Sequence, residues 1–524
     1  MKKFLSKWGF FFIYTLIGIY GIFFNQSWFD ESKYIFKGYL MLTGKISWYN
    51  TPGFLYQHMP GSMLWMGLSQ IPFGPSLLAA RIQSFITGMA VFWMTSALAY
   101  QLGGKRARLI SQALMVSLWA LIFRYAAALP YSLVALLLLT GSWYLYQGFK
   151  NNKLLLVATA LFTLTTLVRE NFLPTLLIYW IFLGLWLVWK QKKWRFYIVQ
   201  MFLSIGLISI VIALTQPGIF KVLANLPLIK TVMINQVDKI VLESYWQNYR
   251  FTPFLQLQTL SELLRAYQPL FILITIVVAY FLFKSHKIKT YWQKLYENNQ
   301  AKALVLLWLM IVFIFNFGLH IWSASLLSPR AINAYMAYFA PLGIVAVSYW
   351  LTVLVQKNKW LWSKTGAIIF ITLLIFSINP DKIFIIGWPW QRKSLPTINQ
   401  SAVTISQITR PDEKIFFLGQ PIVLHLSNRV TYGALFNSLN FFKPGAETAV
   451  VEKYGFWNED LANQWLKNAQ IVLIGENTLK TILNSAPLSD LAKIIADKLK
   501  QNYKLVDRIE DFWPSPLLVF KPIN

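Results

Sequence analysis

The chain has 524 residues, of which 56% are hydrophobic and only 13% are charged. Since a soluble domain carries about 25% charged residues, this composition excludes a wholly soluble protein and predicts a polytopic α-helical membrane protein. The absence of cysteine excludes disulfides, thiolate metal sites and cysteine nucleophiles.

The formal net charge of +28 is unevenly distributed along the chain. Residues 1–379 contain 32 Lys and Arg but 7 Asp and Glu, whereas residues 380–524 contain 16 and 13. The basic excess therefore belongs to the apolar part, where it orients helices and meets anionic membrane lipid. This location argues against a nucleic-acid partner.

Apolar runs of membrane-spanning length recur throughout residues 1–379. The first run, 8–24, follows a basic start and has no small-residue cleavage site after it, so it predicts an uncleaved span with a cytoplasmic N-terminus. A hydrocarbon core of about 30 Å sets the length of such runs. About eleven transmembrane helices are predicted, the others lying near 77–99, 109–123, 130–147, 154–168, 172–189, 197–214, 266–283, 303–322, 335–355 and 365–379.

Assigning successive loops to alternate sides of the membrane tests the number of spans. The loops then assigned to the cytoplasm hold 20 basic residues and one acid, and the opposite loops hold 12 basic residues and six acids. This is the positive-inside bias of a multi-pass protein, here of a bacterial plasma membrane. It predicts that two long loops, 25–76 and 215–265, lie on the extracytoplasmic side together with residues 380–524.

The sequence changes in character after residue 380. Short β-like runs at 414–419, 469–475 and 515–521 are bounded by Gly, Pro and Asn, and amphipathic helical patterns occur at 457–468 and 486–502. These patterns predict a soluble extracytoplasmic α/β domain over residues 380–524, separate from a transmembrane domain over residues 1–379. The domain contains no glycine-rich phosphate-binding motif, so no nucleotide site is predicted.

Chemistry is predicted in the first outer loop, where Asp30 and Glu31 stand in a region poor in acids. Lys33, Tyr34 and Lys37 follow Asp30 at three, four and seven residues and therefore share its helix face. One interpretation is a base beside cations that hold a phosphate. The other is a helix cap at Asp30, with lysines that reach towards lipid headgroups.

The ordered motifs of this loop resemble the first outer loop of the GT-C superfamily of polyprenol-dependent glycosyltransferases. Its protein O-mannosyltransferase and lipid A aminoarabinose transferase branch is the most similar. The matching motifs are Asp30 and Glu31, Tyr34, Thr43-Gly44, His58-Met59-Pro60-Gly61, Phe73-Gly74 and Arg81. Met59 is a departure, because many relatives have a lysine there.

The resemblance implies an inverting transfer of a sugar from a polyprenyl-phosphate donor to a protein, lipid or glycan acceptor. It implies a catalytic site containing Asp30, the general base, and Glu31. Lys33, Tyr34, Lys37 and His58 would contact the substrate.

Arginines that face outward are further candidates, because the guanidinium fork suits phosphate. Arg330 and Tyr335 resemble the late Arg–Tyr–Pro segment of the family and are the preferred phosphate site. Arg169 is the next candidate, although it could instead pair with its neighbour Glu170. Arg81 could equally tie the second span to its neighbours. Arg124 has no motif to support it.

A divalent cation at Asp30, Glu31 and His58 is left open, because a lone histidine in a proline-rich loop is more often a surface hydrogen-bonding group; no other cofactor is predicted. Two other functions are weighed. A flippase or other transporter of lipid-linked glycan would carry ionisable groups within its spans and often two related halves. A membrane-anchored assembly protein would leave the loop motif unexplained.

Overall fold

The computed structural model describes residues 2–25, 27, 29–45, 60–215, 253–283, 285–322, 329–357, 395–432, 435, 439, 442–453 and 456–523. Up to residue 357 the regular structure is helical, and residues 395–523 combine helices with a β-sheet. The helices of the first part are α1 (Lys2–Phe24), α2 (Phe29–Leu42), α3 (Pro60–Leu68), α4 (Gln70–Phe73), α5 (Leu77–Ser117), α6 (Trp119–Tyr125), α7 (Tyr131–Gly148), α8 (Leu154–Val168), α9 (Leu173–Gly184) and α10 (Trp194–Thr215).

The helices that follow are α11 (Pro253–Ala266), α12 (Gln268–Phe283), α13 (Ser285–Asn298), α14 (Gln300–Trp322) and α15 (Pro329–Lys357). Predicted runs such as 130–147 and 154–168 coincide with α7 and α8. The runs 77–99 and 109–123 differ, because α5 extends across the first and into the second. A break at Gly104, where φ is 74°, separates its two halves. The run 365–379 lies outside the described residues.

Five helices of the described chain are long and apolar enough to cross a membrane: α5, α10, α14, α15, and α9 together with the π-helical segment Leu185–Lys190 that continues it. Helices α11 and α12, whose axes are bent by 98° at the break between them, give a sixth candidate if the pair forms one span. Two shorter apolar segments, Trp8–Phe24 and Leu154–Val168, coincide with further predicted spans. A multi-pass helical architecture is therefore present, and the total of about eleven spans stays a prediction.

Helix α15 forms the centre of the bundle and packs along α5, α7 and α14. In the most apolar 18 residues of its segment Ala334–Gln356, 89% are buried, against 11% of the 18 residues Trp194–Val211 of α10. An apolar helix that is buried all round belongs to a core, whereas an apolar helix left exposed requires an apolar solvent. Helix α10 is therefore placed to face lipid.

Helices α2 and α3 pack closely against each other. A Cβ atom at Gly38 would lie 2.0 Å from the carbonyl oxygen of Met63, and one at Gly67 would lie 2.4 Å from the carbonyl carbon of Gly38. Only glycine permits such a close approach of two backbones. The contact fixes α2, which carries Asp30, against α3.

The C-terminal part contains a four-stranded sheet in the order β1-β2-β4-β3. Strands β1 (Ile415–Leu418) and β2 (Ile471–Gly475) are parallel, whereas β4 (Leu517–Pro522) is antiparallel to β2 and to β3 (Tyr503–Ile509). Every residue of β1 and β2 is buried. The accompanying helices are α16 (Leu395–Ile408), α17 (Pro421–Leu426), α18 (Thr448–Lys453), α19 (Glu459–Asn468), α20 (Glu476–Asn484) and α21 (Ser489–Asn502).

This C-terminal part docks on the helical part through α17, which packs against α2. The ring centroid of His425 lies 5.1 Å from that of Phe36 and 5.4 Å from that of Tyr39. Its Nε2 atom is 3.0 Å from Oε1 of Gln70. The helix that carries Asp30 is thus held from both sides.

Acid is expected to weaken this docking contact through His425. Burial, with a smaller contribution from the charge of Lys45, lowers the pKa of His425 from 6.5 to about 3. The folded state then binds fewer protons than the unfolded state between these values. The contribution to stability is complete above pH 6.5 and is lost as the pH falls towards 3.

His425→Phe is expected to reduce this acid sensitivity, since phenylalanine keeps the ring contacts and Gln70 Oε1 still accepts a hydrogen bond from the Ser76 amide (2.7 Å). The check is the melting temperature of both proteins at pH 7, 5.5 and 4. Equal losses in the two proteins would contradict the assignment.

Candidate active site

The two acids at the start of α2 occupy different environments. Both lie in the first turn, where the helix dipole favours negative charge. The side chain of Asp30 is exposed, whereas that of Glu31 is completely buried. Successive helical residues point about 100° apart, so one acid faces solvent and the other faces the bundle.

Glu31 forms a buried ion pair with Arg81 of α5. Nε and one terminal nitrogen of Arg81 donate to the two carboxylate oxygens of Glu31 at 3.0 and 2.9 Å, and both side chains are 0% exposed. Arg81 also donates to the carbonyl of Ile22 (2.8 Å), and Glu31 accepts from the amide of Ala128 (2.8 Å). The pair thus joins α1, α2, α5 and the turn before α7.

Lys33, Tyr34 and Lys37 are all buried, together with the rest of residues 31–38. Burial lowers the pKa of Lys37 well below its usual value, and the nearby charge of Lys33 lowers it further. Two ammonium groups held close together in a buried place are stabilised by an anion that lies between them. This pair can therefore hold a phosphate.

Arg169 approaches the same face from α8. It lies directly after the last residue of that helix, in extended conformation, and is 3% exposed. One terminal nitrogen donates to the hydroxyl of Tyr34, and the other donates to the hydroxyl of Tyr335 at 3.1 Å. The guanidinium also lies 5.4 Å from the Tyr335 ring centroid and 6.0 Å from that of Tyr338. These phenols orient the guanidinium without cancelling its charge.

The Pro-Gly segment of the loop is anchored beside Arg169. The hydroxyl of Ser62 donates to the carbonyl of Val168, and a Cβ atom at Gly61 would lie 2.8 Å from the carbonyl oxygen of Leu167. The start of α3 therefore touches the end of α8, and this contact requires glycine at position 61.

Electrostatic contacts connect Asp30 with this cluster. Asp30 lies close enough to Tyr34 and Tyr131 to act on both phenols, and Arg169 acts on both as well. Arg124, in the last turn of α6, also acts on Tyr131. The structure thus brings an exposed carboxylate, two arginines and a set of phenols to one place.

Sequence reasoning missed part of this cluster. The rings of Tyr131 and Tyr338 pack in a tilted arrangement with centroids 4.7 Å apart, but no motif marks either residue. Arg124 was a candidate only as an outward-facing arginine without a motif, and its position depends on the turn between α6 and α7. The only sequence signal for these residues was their location at predicted outer ends of spans.

Two predicted site residues cannot be placed. His58 lies outside the described residues, and Arg330 lies in the first turn of α15, whose side chains are described only from Ala334 onward. Within the described ranges, no three His, Asp or Glu side chains are grouped as metal ligands. Since Glu31 is engaged by Arg81, the predicted metal set would have to draw on Asp30 and His58.

Solved structures share this fold over nearly the whole chain. ArnT from Cupriavidus metallidurans in the apo state has 12% identity and a TM-score of 0.57, with 97% of each chain covered. The same protein bound to undecaprenyl phosphate gives 12% identity and 0.55, again with 97% of each chain covered. The Archaeoglobus fulgidus oligosaccharyltransferase tethered with an acceptor peptide gives 10% identity and 0.50, covering 100% of this chain and 75% of that chain.

Both proteins are members of the GT-C superfamily, so the predicted resemblance is confirmed at the level of the fold. No family model matches the sequence, and no curated protein matches it.

Proposed function

We propose that the chain is an inverting membrane glycosyltransferase that moves a sugar from a polyprenyl-phosphate carrier to an acceptor on the extracytoplasmic face. The observation that carries the proposal is the arrangement around α2. There an exposed carboxylate, Asp30, stands beside buried cations, Lys33, Lys37 and Arg169. The shared fold supports it, because one structure with that fold holds undecaprenyl phosphate.

The chemistry requires a base on one side of the sugar and cations on the other. Asp30 takes the proton of the acceptor hydroxyl while that oxygen attacks the anomeric carbon. The bond from this carbon to the phosphate oxygen breaks, and the lipid phosphate leaves from the opposite face. Cations preorganised at the leaving oxygens stabilise the charge that develops there.

The cluster suggests a division of roles among its residues. Lys33, Lys37 and Arg169 hold the phosphate, and Tyr34 and Tyr335 orient Arg169. Glu31, which the sequence placed in the catalytic site, and Arg81, for which it left a substrate contact and a structural tie open, act as positioning residues through their buried pair.

Two further roles are proposed from the sequence resemblance: Arg330 as a phosphate ligand and His58 as a substrate contact. A divalent cation is proposed separately, from the residue types Asp30 and His58, since Glu31 is engaged by Arg81.

A transfer assay tests the proposal. The purified chain in nanodiscs is incubated with undecaprenyl-phosphate sugars that are radiolabelled in the sugar, together with membrane extracts as acceptors. We expect labelled acceptor and free undecaprenyl phosphate in equal amounts. The same chain in sealed vesicles tests the alternative, because label that crosses the bilayer while it stays on its carrier, without transfer, would contradict the proposal and support a flippase.

Lys37→Met is expected to weaken the binding of undecaprenyl phosphate by about tenfold to a hundredfold, the value of a hydrogen bond to a charged group. Bound phosphate raises the pKa of Lys37, which is lowered in the free protein. Affinity should therefore be highest below the free-state pKa and fall as the pH rises through it. Titration of the lipid into nanodiscs at several pH values measures both effects.

Lys45→Met is the matched control for this change, because Lys45 is exposed just beyond the end of α2. It should leave the affinity nearly unchanged. Equal affinities in the Lys37→Met and Lys45→Met proteins would remove Lys37 from the phosphate site.

A further inference from the structure

A cavity of about 320 Å³ lies in the C-terminal part, apart from the cluster around Asp30. It opens where the parallel strands β1 and β2 end, at Gly419 and Gly475. Ligands of α/β sheets bind preferentially in the crevice outside the carboxyl ends of the strands. The volume is at the lower end of the range of small-molecule sites, so it suits one small unit.

The lining of this cavity is polar but uncharged. Its side chains include the amides of Gln420 and Asn477 and the hydroxyls of Thr478, Thr481 and Ser515. Among the lining residues that the structure describes, none is ionisable. Amides and hydroxyls both donate and accept hydrogen bonds, as sugar hydroxyls do. Phe512 and Pro514 add an apolar wall against which the C–H face of a sugar ring can pack.

One buried polar atom of the lining lacks a hydrogen bond within the described chain. Oε1 of Gln420 is buried and accepts none, and Gln420 lines the cavity. A buried acceptor without a donor is unfavourable, and a bound donor removes this penalty. At the opposite wall, the glycine before α20, Gly475, has no side chain to cap the helix. The backbone N–H of Asn477 donates a long hydrogen bond, 3.4 Å, to Ser515 Oγ.

The cavity is structurally connected to α2. Gln420 immediately precedes α17, which has six residues and is about 9 Å long. The other end of α17 carries His425, whose ring contacts α2. A ligand in the cavity thus lies one short helix away from the helix that carries Asp30.

From these observations we propose that the cavity is a subsite for an uncharged sugar residue. The identity of this sugar rests on the proposed function: if the chain is a glycosyltransferase, the bound sugar is a residue of the acceptor. The acceptor is then a glycan or a glycolipid. Gln420 Oε1 accepts a hydrogen bond from a sugar hydroxyl, and the hydroxyls of Thr478 and Thr481 complete the polar contacts.

Saturation-transfer difference NMR on the full chain in nanodiscs tests the subsite without sugar-headed detergents. The probes are methyl α-mannoside and methyl N-acetyl-β-glucosaminide, with methyl β-glucuronide and glucosamine as charged counterparts. We expect transfer to at least one neutral probe. Gln420→Leu should weaken its binding by about tenfold, the value of one hydrogen bond, without lowering the melting temperature.

Gln400→Leu is the matched control, because Gln400 is exposed on α16 of the same C-terminal part. Binding that is equal in the two variants would overturn the subsite. So would charged probes that bind as well as neutral ones, or the absence of transfer to both neutral probes. If the chain binds the neutral sugar but shows no glycosyl transfer, the proposed function is overturned and the site for an uncharged sugar remains. Glycosyl transfer without sugar binding in the cavity would overturn only the subsite.

Discussion

Asp30→Asn is expected to lower the turnover number of glycosyl transfer by about 10²–10⁴-fold, the usual contribution of a positioned general base. Asparagine has nearly the same shape but does not accept the proton of the acceptor hydroxyl. The affinity for undecaprenyl phosphate should change little, because the phosphate is proposed to bind the cations of α2 and α8. Steady-state kinetics and lipid titration on the same samples measure both quantities.

The control for this change is Asp490→Asn. Asp490 also lies in the first turn of a helix, α21, so this variant reports the loss of one favourable interaction with a helix dipole. It should leave the turnover number unchanged. Full activity of the Asp30→Asn protein would show that Asp30 is not the base and would favour its interpretation as a helix-terminal charge.

The helical architecture could be predicted because lipid imposes a length and an apolar composition on each span. The run 154–168 agrees with the structure to the residue. The site could be predicted only where its residues are neighbours in the sequence. The spacing of Lys33, Tyr34 and Lys37 placed them on one helix face, and the structure buries all three.

Contacts between distant residues were beyond the sequence. Glu31 and Arg81 are 50 residues apart, and Arg169 and Tyr335 are 166 apart. No local periodicity links such residues, since their meeting depends on how helices pack. Adjacency in sequence also misled: Asp30 and Glu31 were grouped as a pair, yet the turn of the helix sends them to different environments. In the C-terminal part, the edge strand β3 escaped prediction because its burial does not alternate.

Breaking the buried pair is expected to have the largest effect on stability. Glu31→Leu leaves the guanidinium of Arg81 buried beside an apolar group. Arg81→Met likewise leaves the carboxylate of Glu31 buried without its cationic partner. Removing one partner of a buried ion pair costs about 3–5 kcal/mol. Thermal unfolding in nanodiscs measures both variants. Glu476→Leu is the control, because its pair with Arg508 is exposed and should contribute little.

The Glu31→Leu and Arg81→Met double variant separates a positioning role from a catalytic one. Two apolar side chains of similar volume replace a buried pair at little net cost, so the double variant should be more stable than either single variant. Its stability should fall short of the wild type, because the amide of Ala128 and the carbonyl of Ile22 lose partners. If Glu31 acts only by holding α2 in place, glycosyl transfer should recover together with stability. A stable double variant that has no activity would instead show that Glu31 takes part in the reaction, as the sequence suggested.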